Sequence, residues 1–269
     1  MTTRTFGWTG EQVPVIGQGT WMSRGVSAVQ ALRAGLDLGM THVDTAEMYG
    51  NEQMVGEAIA GRRDEVFLVT KVLPSNASYE GTLRACEQSL ARLGVDHVDL
   101  YLLHWPGSHP IGETMRAMEK LAAEGLTRYI GVSNFDLEEL REAEAALRNG
   151  RIACNQVLYH LGDRGIERRL LPYCRQRQIA VVGYSPFGHS GFRGGGVLEE
   201  IARRNGRTVR QVALNFLTRE DVFAIPKASN VEHVRENAGG AGWRLSPEDI
   251  AAIDRAFPAP VRDVPLGMI

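Results

Sequence analysis

The sequence has 269 residues, a formal net charge of −2 and 43% hydrophobic residues, which is enough chain to bury the core of one α/β domain. That near-neutral balance gives no reason to expect a nucleic-acid or acidic-membrane partner, and no apolar run approaches the roughly 20 residues that span a bilayer. Of the 30 basic residues only Lys71, Lys120 and Lys227 are lysine, so a lysine in this arginine-rich chain is a candidate for chemistry that arginine cannot supply.

Met1–Thr5 is followed by no apolar segment, so no signal peptide is expected and a cytoplasmic location follows. Arg4–Phe6 and Val13–Val15 flank Trp8-Thr9-Gly10-Glu11 and predict a β-hairpin over a barrel floor. Short apolar runs then recur at Ile16–Thr20, His42–Asp44, Val66–Thr70, Val98–Leu103, Arg128–Val132, Ile152–Val157, Ile179–Gly183 and Val222–Ile225. Each is followed by an amphipathic stretch, the pattern of βαβ units around a parallel sheet. Eight such units predict an α/β fold, a closed (β/α)8 TIM barrel.

Between the runs, Glu80–Arg92 places Leu83, Cys86, Leu90 and Leu93 at helical spacing. Asp136–Leu147 opens on an acidic cap and is expected to end at Asn149-Gly150. The longer interval before the eighth run holds two extra helices, about Val197–Arg204 and Thr208–Arg219. Ser246, followed by Pro247, predicts the start of a last helix to Phe257. Without a linker or low-complexity segment, residues 1–269 read as a single domain. Cys86, Cys154 and Cys174, odd in number and widely spaced, read as reduced packing residues.

In such a barrel the active site lies where strands end and βα loops begin. Asp44, Lys71, His104, Ser133-Asn134, Gln156, Tyr184-Ser185 and Lys227 all fall at strand ends, and Tyr49 lies in the loop after the second strand. Singly, each has a plain alternative: a helix cap for Asp44, a half-buried loop aromatic for Tyr49, solvated lysines for Lys71 and Lys227, a core histidine for His104. Together they bring Asp, Tyr, Lys and His to one rim, where an ammonium beside a phenol lowers its pKa from about 10 and makes it a better acid. The His and carboxylate residues show no zinc-type spacing, so no metal is expected. Gly17-Gln18-Gly19 is only a fragment of the dinucleotide-binding fingerprint, and 191–196, rich in glycine, reads either as a flexible loop or as one closing over a pyrophosphate.

The run Asp44-Thr45-Ala46-Glu47-Met48-Tyr49-Gly50-Asn51-Glu52 and the segments Val69–Lys71, Asp99–Pro106, Ile130–Phe135, Asn155–Val157, Tyr184–Gly188, Ile225–Asn230 and Glu236-Asn237, taken together in this order, resemble the aldo-keto reductase family over nearly the whole chain. The resemblance implies an NADPH-dependent oxidoreductase that reduces aldehydes and ketones, with Tyr49 as general acid, Lys71 and Asp44 tuning it and His104 orienting the carbonyl. It implies that Ser133, Asn134 and Gln156 hold the nicotinamide carboxamide and that Tyr184 stacks on the ring. Thr20 and Trp21 would lie beside the ribose and substrate, and Ser185, Phe187 and Gly188 beside the pyrophosphate. Lys227, Ser229, Asn230, His233, Glu236 and Asn237 would hold the adenosine end.

Two positions depart from the family pattern: Ala228, where Ser or Thr is usual, and His233, where Arg is usual. A neutral His is a weaker phosphate partner, so NADH use stays open beside NADPH. Trp21, Met22, Tyr49, Trp105 and His109 would line an open pocket for small or aromatic aldehydes and α-dicarbonyls. A diketo-sugar-acid reductase and a non-catalytic nicotinamide-binding regulator are the alternatives, and a monomer is the family's default.

Overall fold

Thr3–Thr5 (β1) and Gln12–Pro14 (β2) pair antiparallel, with Thr5 opposite Gln12, to form the expected N-terminal hairpin. The computed structural model describes residues 1–188 and 196–269. Phe6 at the hairpin's inner end is fully buried, its ring 5.0 Å from those of both Phe67 and Phe223, so it plugs the floor of the barrel. Gly7 makes the turn at φ 55°, where a Cβ would meet the Gln178 carbonyl oxygen at 2.4 Å; only glycine fits there.

Eight parallel strands follow: Gln18–Gly19 (β3), His42–Asp44 (β4), Phe67–Val72 (β5), Val98–Leu103 (β6), Thr127–Ser133 (β7), Ile152–Leu158 (β8), Ala180–Tyr184 (β9) and Val222–Ile225 (β10). Their spatial order is their chain order, and parallel bridges Ile16–Ala224 and Gly19–Lys227 close β3 onto β10. The barrel read from the sequence is therefore the barrel observed. β3 is shorter than the apolar run Ile16–Thr20, because there the chain pairs with β10 through isolated bridges.

Ten α-helices are present among the described residues: Gly25–Asp37 (α1), Glu52–Ile59 (α2), Tyr79–Leu93 (α3), Ile111–Ala123 (α4), Leu137–Ala146 (α5), Leu170–Arg177 (α6), Val197–Asn205 (α7), Val209–Leu217 (α8), Val231–Ala238 (α9) and Pro247–Ala256 (α10). Two exceed the alternation, since α7 and α8 both precede β10 and α10 follows α9. Caps fix several starts. Asp136 forms a capping box with Glu139, Thr208 forms another with Gln211, and Ser246 accepts from the Asp249 amide. α5 runs between the caps Asp136 and Leu147, the bounds read from the sequence. Just beyond it the Glu119 carboxylate accepts from the amides of Arg148, Asn149 and Gly150 at 2.7–2.9 Å. Of the glycine-rich run 191–196, residues 191–195 lie outside the described residues.

Packing forms two layers. Val69, Leu100, Leu102, Cys154, Val182 and Ile225 fill the barrel lumen, and a larger cluster including Val72, Leu93, Met115, Leu140 and Ile201 lies between strands and helices. Each fully buried aliphatic side chain contributes about 1.5–3 kcal/mol. The three cysteines are free and buried. No described helix is long and apolar enough to cross a membrane.

Candidate active site

The upper end of the lumen is polar. Lys71, wholly buried on β5, points inward, and its Nζ lies 2.6 Å from Asp44 Oδ1, 2.8 Å from the Thr45 carbonyl oxygen and 3.4 Å from Tyr49 Oη. His104 follows the end of β6, its ring 5.6 Å from that of Tyr49. The four residues read from separate strand ends thus meet within one cluster.

Burial opposes the Lys71 charge, but the Asp44 carboxylate and the Tyr49 oxygen outweigh it and move the ammonium's pKa upward. Burial pushes the Asp44 carboxyl up, against the pull of Lys71 and the Gln156 amide. His104 is pushed down to about 2 by burial and by the Lys71 charge, so its imidazole is neutral. The expected lowering of the Tyr49 pKa is corrected by the structure. Lys71 does pull it down, but burial of the phenol, reinforced by the Asp44 charge, is larger and moves it up. Tyr49 therefore stays protonated at neutral pH.

The chain around Tyr49 is held by residues to which the sequence reading gave no role. Asn51, buried, accepts from the Thr45 hydroxyl at 2.8 Å and donates to the carbonyls of Thr20 at 2.7 Å and Ser23 at 3.2 Å. It staples the loop before α1 to the Tyr49 loop. Glu47 accepts from the Leu73 amide and the Asn76 side chain, tying that loop to the end of β5. Glu52, also buried, accepts from the Thr70 hydroxyl at 2.6 Å and from Arg92 Nε at 2.7 Å. Successive strand residues face opposite ways, so β5 engages the Tyr49 loop from inside through Lys71 and from outside through Thr70. The signal was in the sequence: Glu47, Asn51 and Glu52 all sit in the run that carries Tyr49.

A lattice of amides adjoins the cluster. Ser133 Oγ donates to the Gln156 carbonyl at 2.8 Å, as does the Asn134 amide. Asn134 Nδ2 donates to the His104 carbonyl, and Asn134 Oδ1 accepts from the Tyr184 hydroxyl at 2.7 Å. Gln156 Nε2 donates to Asp44 Oδ2 at 2.7 Å, so the residue expected at the carboxamide also holds the acid. The Thr20 hydroxyl and His104 Nδ1 are buried without a hydrogen-bond partner among the described residues.

The Aldo/keto reductase family profile matches residues 15–257. The chain belongs to the aldo/keto reductase family. It is 46% identical to methylglyoxal reductase YeaE of Escherichia coli K12 over 271 residues, 96% of this chain and 95% of that one. It is 36% identical to glyoxal reductase of Bacillus subtilis over 251 residues, covering 91% and 89%. A solved aldo/keto reductase from Klebsiella pneumoniae, in complex with NADP and acetate, superposes with a TM-score of 0.94 at 46% identity, covering 100% of this chain and 99% of that one.

In this aldo/keto reductase Lys227 follows β10, exposed and without an ion pair among the described residues. Ser229 is exposed, and Asn237 is buried on α9. Asn230 caps α9, its Oδ1 accepting from the His233 amide at 2.8 Å and its Nδ2 lying 3.4 Å from His233 Nδ1. The Glu236 carbonyl accepts from Gln211 on α8. Ser185, at φ 49°, and Gly188 bracket Phe187, half-buried beneath the Arg210 guanidinium.

The mouth is aromatic. Trp21 meets the Tyr49 ring edge-on at 4.9 Å, and Trp105 lies 4.7 Å from His104. Trp21 and Met22 are 41% and 69% exposed, which leaves them open to a ligand, and His109 is half-buried. The C-terminal tail adds a contact the sequence did not suggest: burial raises the Tyr184 pKa to about 12 against the opposing pull of the Ile269 main chain beside the phenol.

Proposed function

We propose that this aldo/keto reductase reduces small α-dicarbonyls and aromatic aldehydes with NADPH, using Tyr49 as the proton donor. The observation that carries the reading is Lys71, seated between Asp44 and Tyr49 at 2.6 and 3.4 Å with a neutral His104 beside them. The groups present suit the cofactor. The buried Thr20 hydroxyl and Lys227, both without partners among the described residues, leave polar and cationic capacity along its expected track, and Ser133, Asn134 and Gln156 cluster where an amide can be bound.

Bound NADPH supplies a hydride to the carbonyl carbon. Tyr49 delivers its hydroxyl proton to the carbonyl oxygen, and the Lys71 ammonium stabilises the phenolate left behind. Asp44 and the Thr45 carbonyl fix that ammonium, and Gln156 fixes Asp44. Neutral His104 donates a hydrogen bond to the carbonyl oxygen and aims it at Tyr49. Trp21 and Trp105 form apolar walls and exclude water.

The aromatic mouth suits small dicarbonyls, the class named for the Escherichia coli and Bacillus subtilis relatives. One observation favours a diketo acid as second reading: the Arg24 guanidinium, 3.5 Å from the Tyr49 carbonyl, could meet a carboxylate. We take the functional unit as a monomer, the default of the family, and place it in the cytoplasm, where free thiols stay reduced.

The test follows NADPH oxidation with methylglyoxal, benzaldehyde and a diketo-sugar acid, for wild type and Tyr49→Phe. The reading expects turnover of the first two, lost in the variant. NADPH binding without consumption across the panel would instead indicate a nicotinamide-binding regulator.

A further inference from the structure

Arg210, in the first turn of α8, is half-buried, and its guanidinium carbon lies 4.7 Å from the centre of the Phe187 ring. Its five N–H donors make no hydrogen bond or ion pair among the described residues. A half-buried guanidinium shelved on an aromatic face is held in one direction with its hydrogen-bonding fork unspent. Phe187 belongs to the segment after β9 expected beside the cofactor pyrophosphate. The adjacent Gln211 clamps α8 to α9, its Nε2 donating to the Glu236 carbonyl at 3.0 Å and its Oε1 accepting from the Thr208 amide. Arg210 thus contacts the pyrophosphate segment directly and sits one residue from the clamp that holds α8 to α9.

α9 lacks a cation at the position where one is usual. Position 233 is a histidine whose ring neighbours the Asn230 amide, position 228 is alanine, and α9's own arginine, Arg235, lies two residues further on and exposed, so at the usual positions Lys227 is left to meet a phosphate. We propose that Arg210 is a cofactor-specificity residue of this chain, its guanidinium binding the 2′-phosphate of NADP(H) as a second cation opposite Lys227. The planar fork suits a phosphate bidentately, and the Phe187 shelf lowers the entropy lost on binding.

The inference rests on NADPH being the cofactor, and the test separates the two. Wild type, Arg210→Met and Arg210→Lys are titrated with NADP+, NAD+ and 2′,5′-ADP by calorimetry, with thermal unfolding to confirm the fold. A charge-assisted hydrogen bond to phosphate predicts that Arg210→Met weakens NADP+ and 2′,5′-ADP by about tenfold to a hundredfold. NAD+ affinity stays within about twofold, as expected for a group that touches only the added phosphate. Arg210→Lys keeps the charge without the fork and falls between. Equal weakening of NADP+ and NAD+ would move the contact to the pyrophosphate or adenine and overturn the proposal, as would no change in either. A wild type that binds NAD+ as tightly as NADP+ would overturn the NADPH reading and, with it, any role for a 2′-phosphate contact.

Discussion

Replacing Lys71 by methionine measures what the buried ammonium does for Asp44. Both side chains are almost inaccessible to solvent, and Nζ lies 2.6 Å from Oδ1. Methionine keeps much of the volume but leaves the carboxylate with the Gln156 amide alone. Removing one partner of a buried pair costs about 3–5 kcal/mol. The orphaned carboxylate can escape by taking up a proton, and each pKa unit of displacement is worth about 1.4 kcal/mol. A loss of that size means that the folded-state pKa of Asp44 in the variant lies well above its unfolded value of about 3.9, which opens a pH window between the two.

Because that pKa is raised on folding, the folded variant binds more protons than the unfolded chain within the window. Its deficit against wild type is therefore small below the unfolded pKa and grows as pH rises through the folded one. Urea unfolding of wild type, Lys71→Met and Lys71→Met/Asp44→Asn at pH 5 and pH 8 reads this directly. The single variant should lose about 1.5 kcal/mol at pH 5 and about 3–5 kcal/mol at pH 8, and the double variant should recover most of it. A deficit equal at both pH values, or a double variant as unstable as the single, would refute the argument that a stranded charge is the cause.

Tyr49→Phe should lower kcat by about 10²–10⁴-fold while NADP+ titration shows affinity within about twofold of wild type, because the variant removes a proton donor and little binding surface. Asn51→Ala strands the Thr45 hydroxyl and the Thr20 and Ser23 carbonyls, so urea unfolding should show a loss of about 2–3 kcal/mol. Phe6→Ala, at the opposite end of the barrel, should lose about 3–5 kcal/mol yet leave kcat near wild type, whereas Asn51→Ala should lower it; steady-state kinetics compare the two. His42 and His104 are held neutral, pushed down to about 3 and about 2, while the unfolded chain takes up protons at both below about pH 6.5. Folded-state stability should thus fall as pH drops through 6.5, and His42→Leu should remove up to about 1.4 kcal/mol of that loss per pH unit, read from urea midpoints at pH 5 and 7.

Much of this protein is local in origin. The alternation of short β-branched runs with amphipathic stretches reports burial on the faces of individual elements, so it set the number and order of strands and the barrel class. Caps such as Asp136 and Ser246 act within four residues and were legible one at a time. The identities of Asp44, Tyr49, Lys71 and His104 were equally plain, since each sits at or just past a strand end.

What tertiary structure decided is everything that depends on who is across the lumen or how far water is. Gln156 reaches Asp44 across 112 residues, and Ile269 meets Tyr184 across the mouth; no spacing along the chain encodes either contact. The three anchors Glu47, Asn51 and Glu52 were visible as letters, but their partners lie on other strands and helices. The direction of the Tyr49 pKa turned on the same point. Sequence supplies the neighbouring charge that pulls it down, but only closure of the barrel around the phenol supplies the desolvation that outweighs that charge.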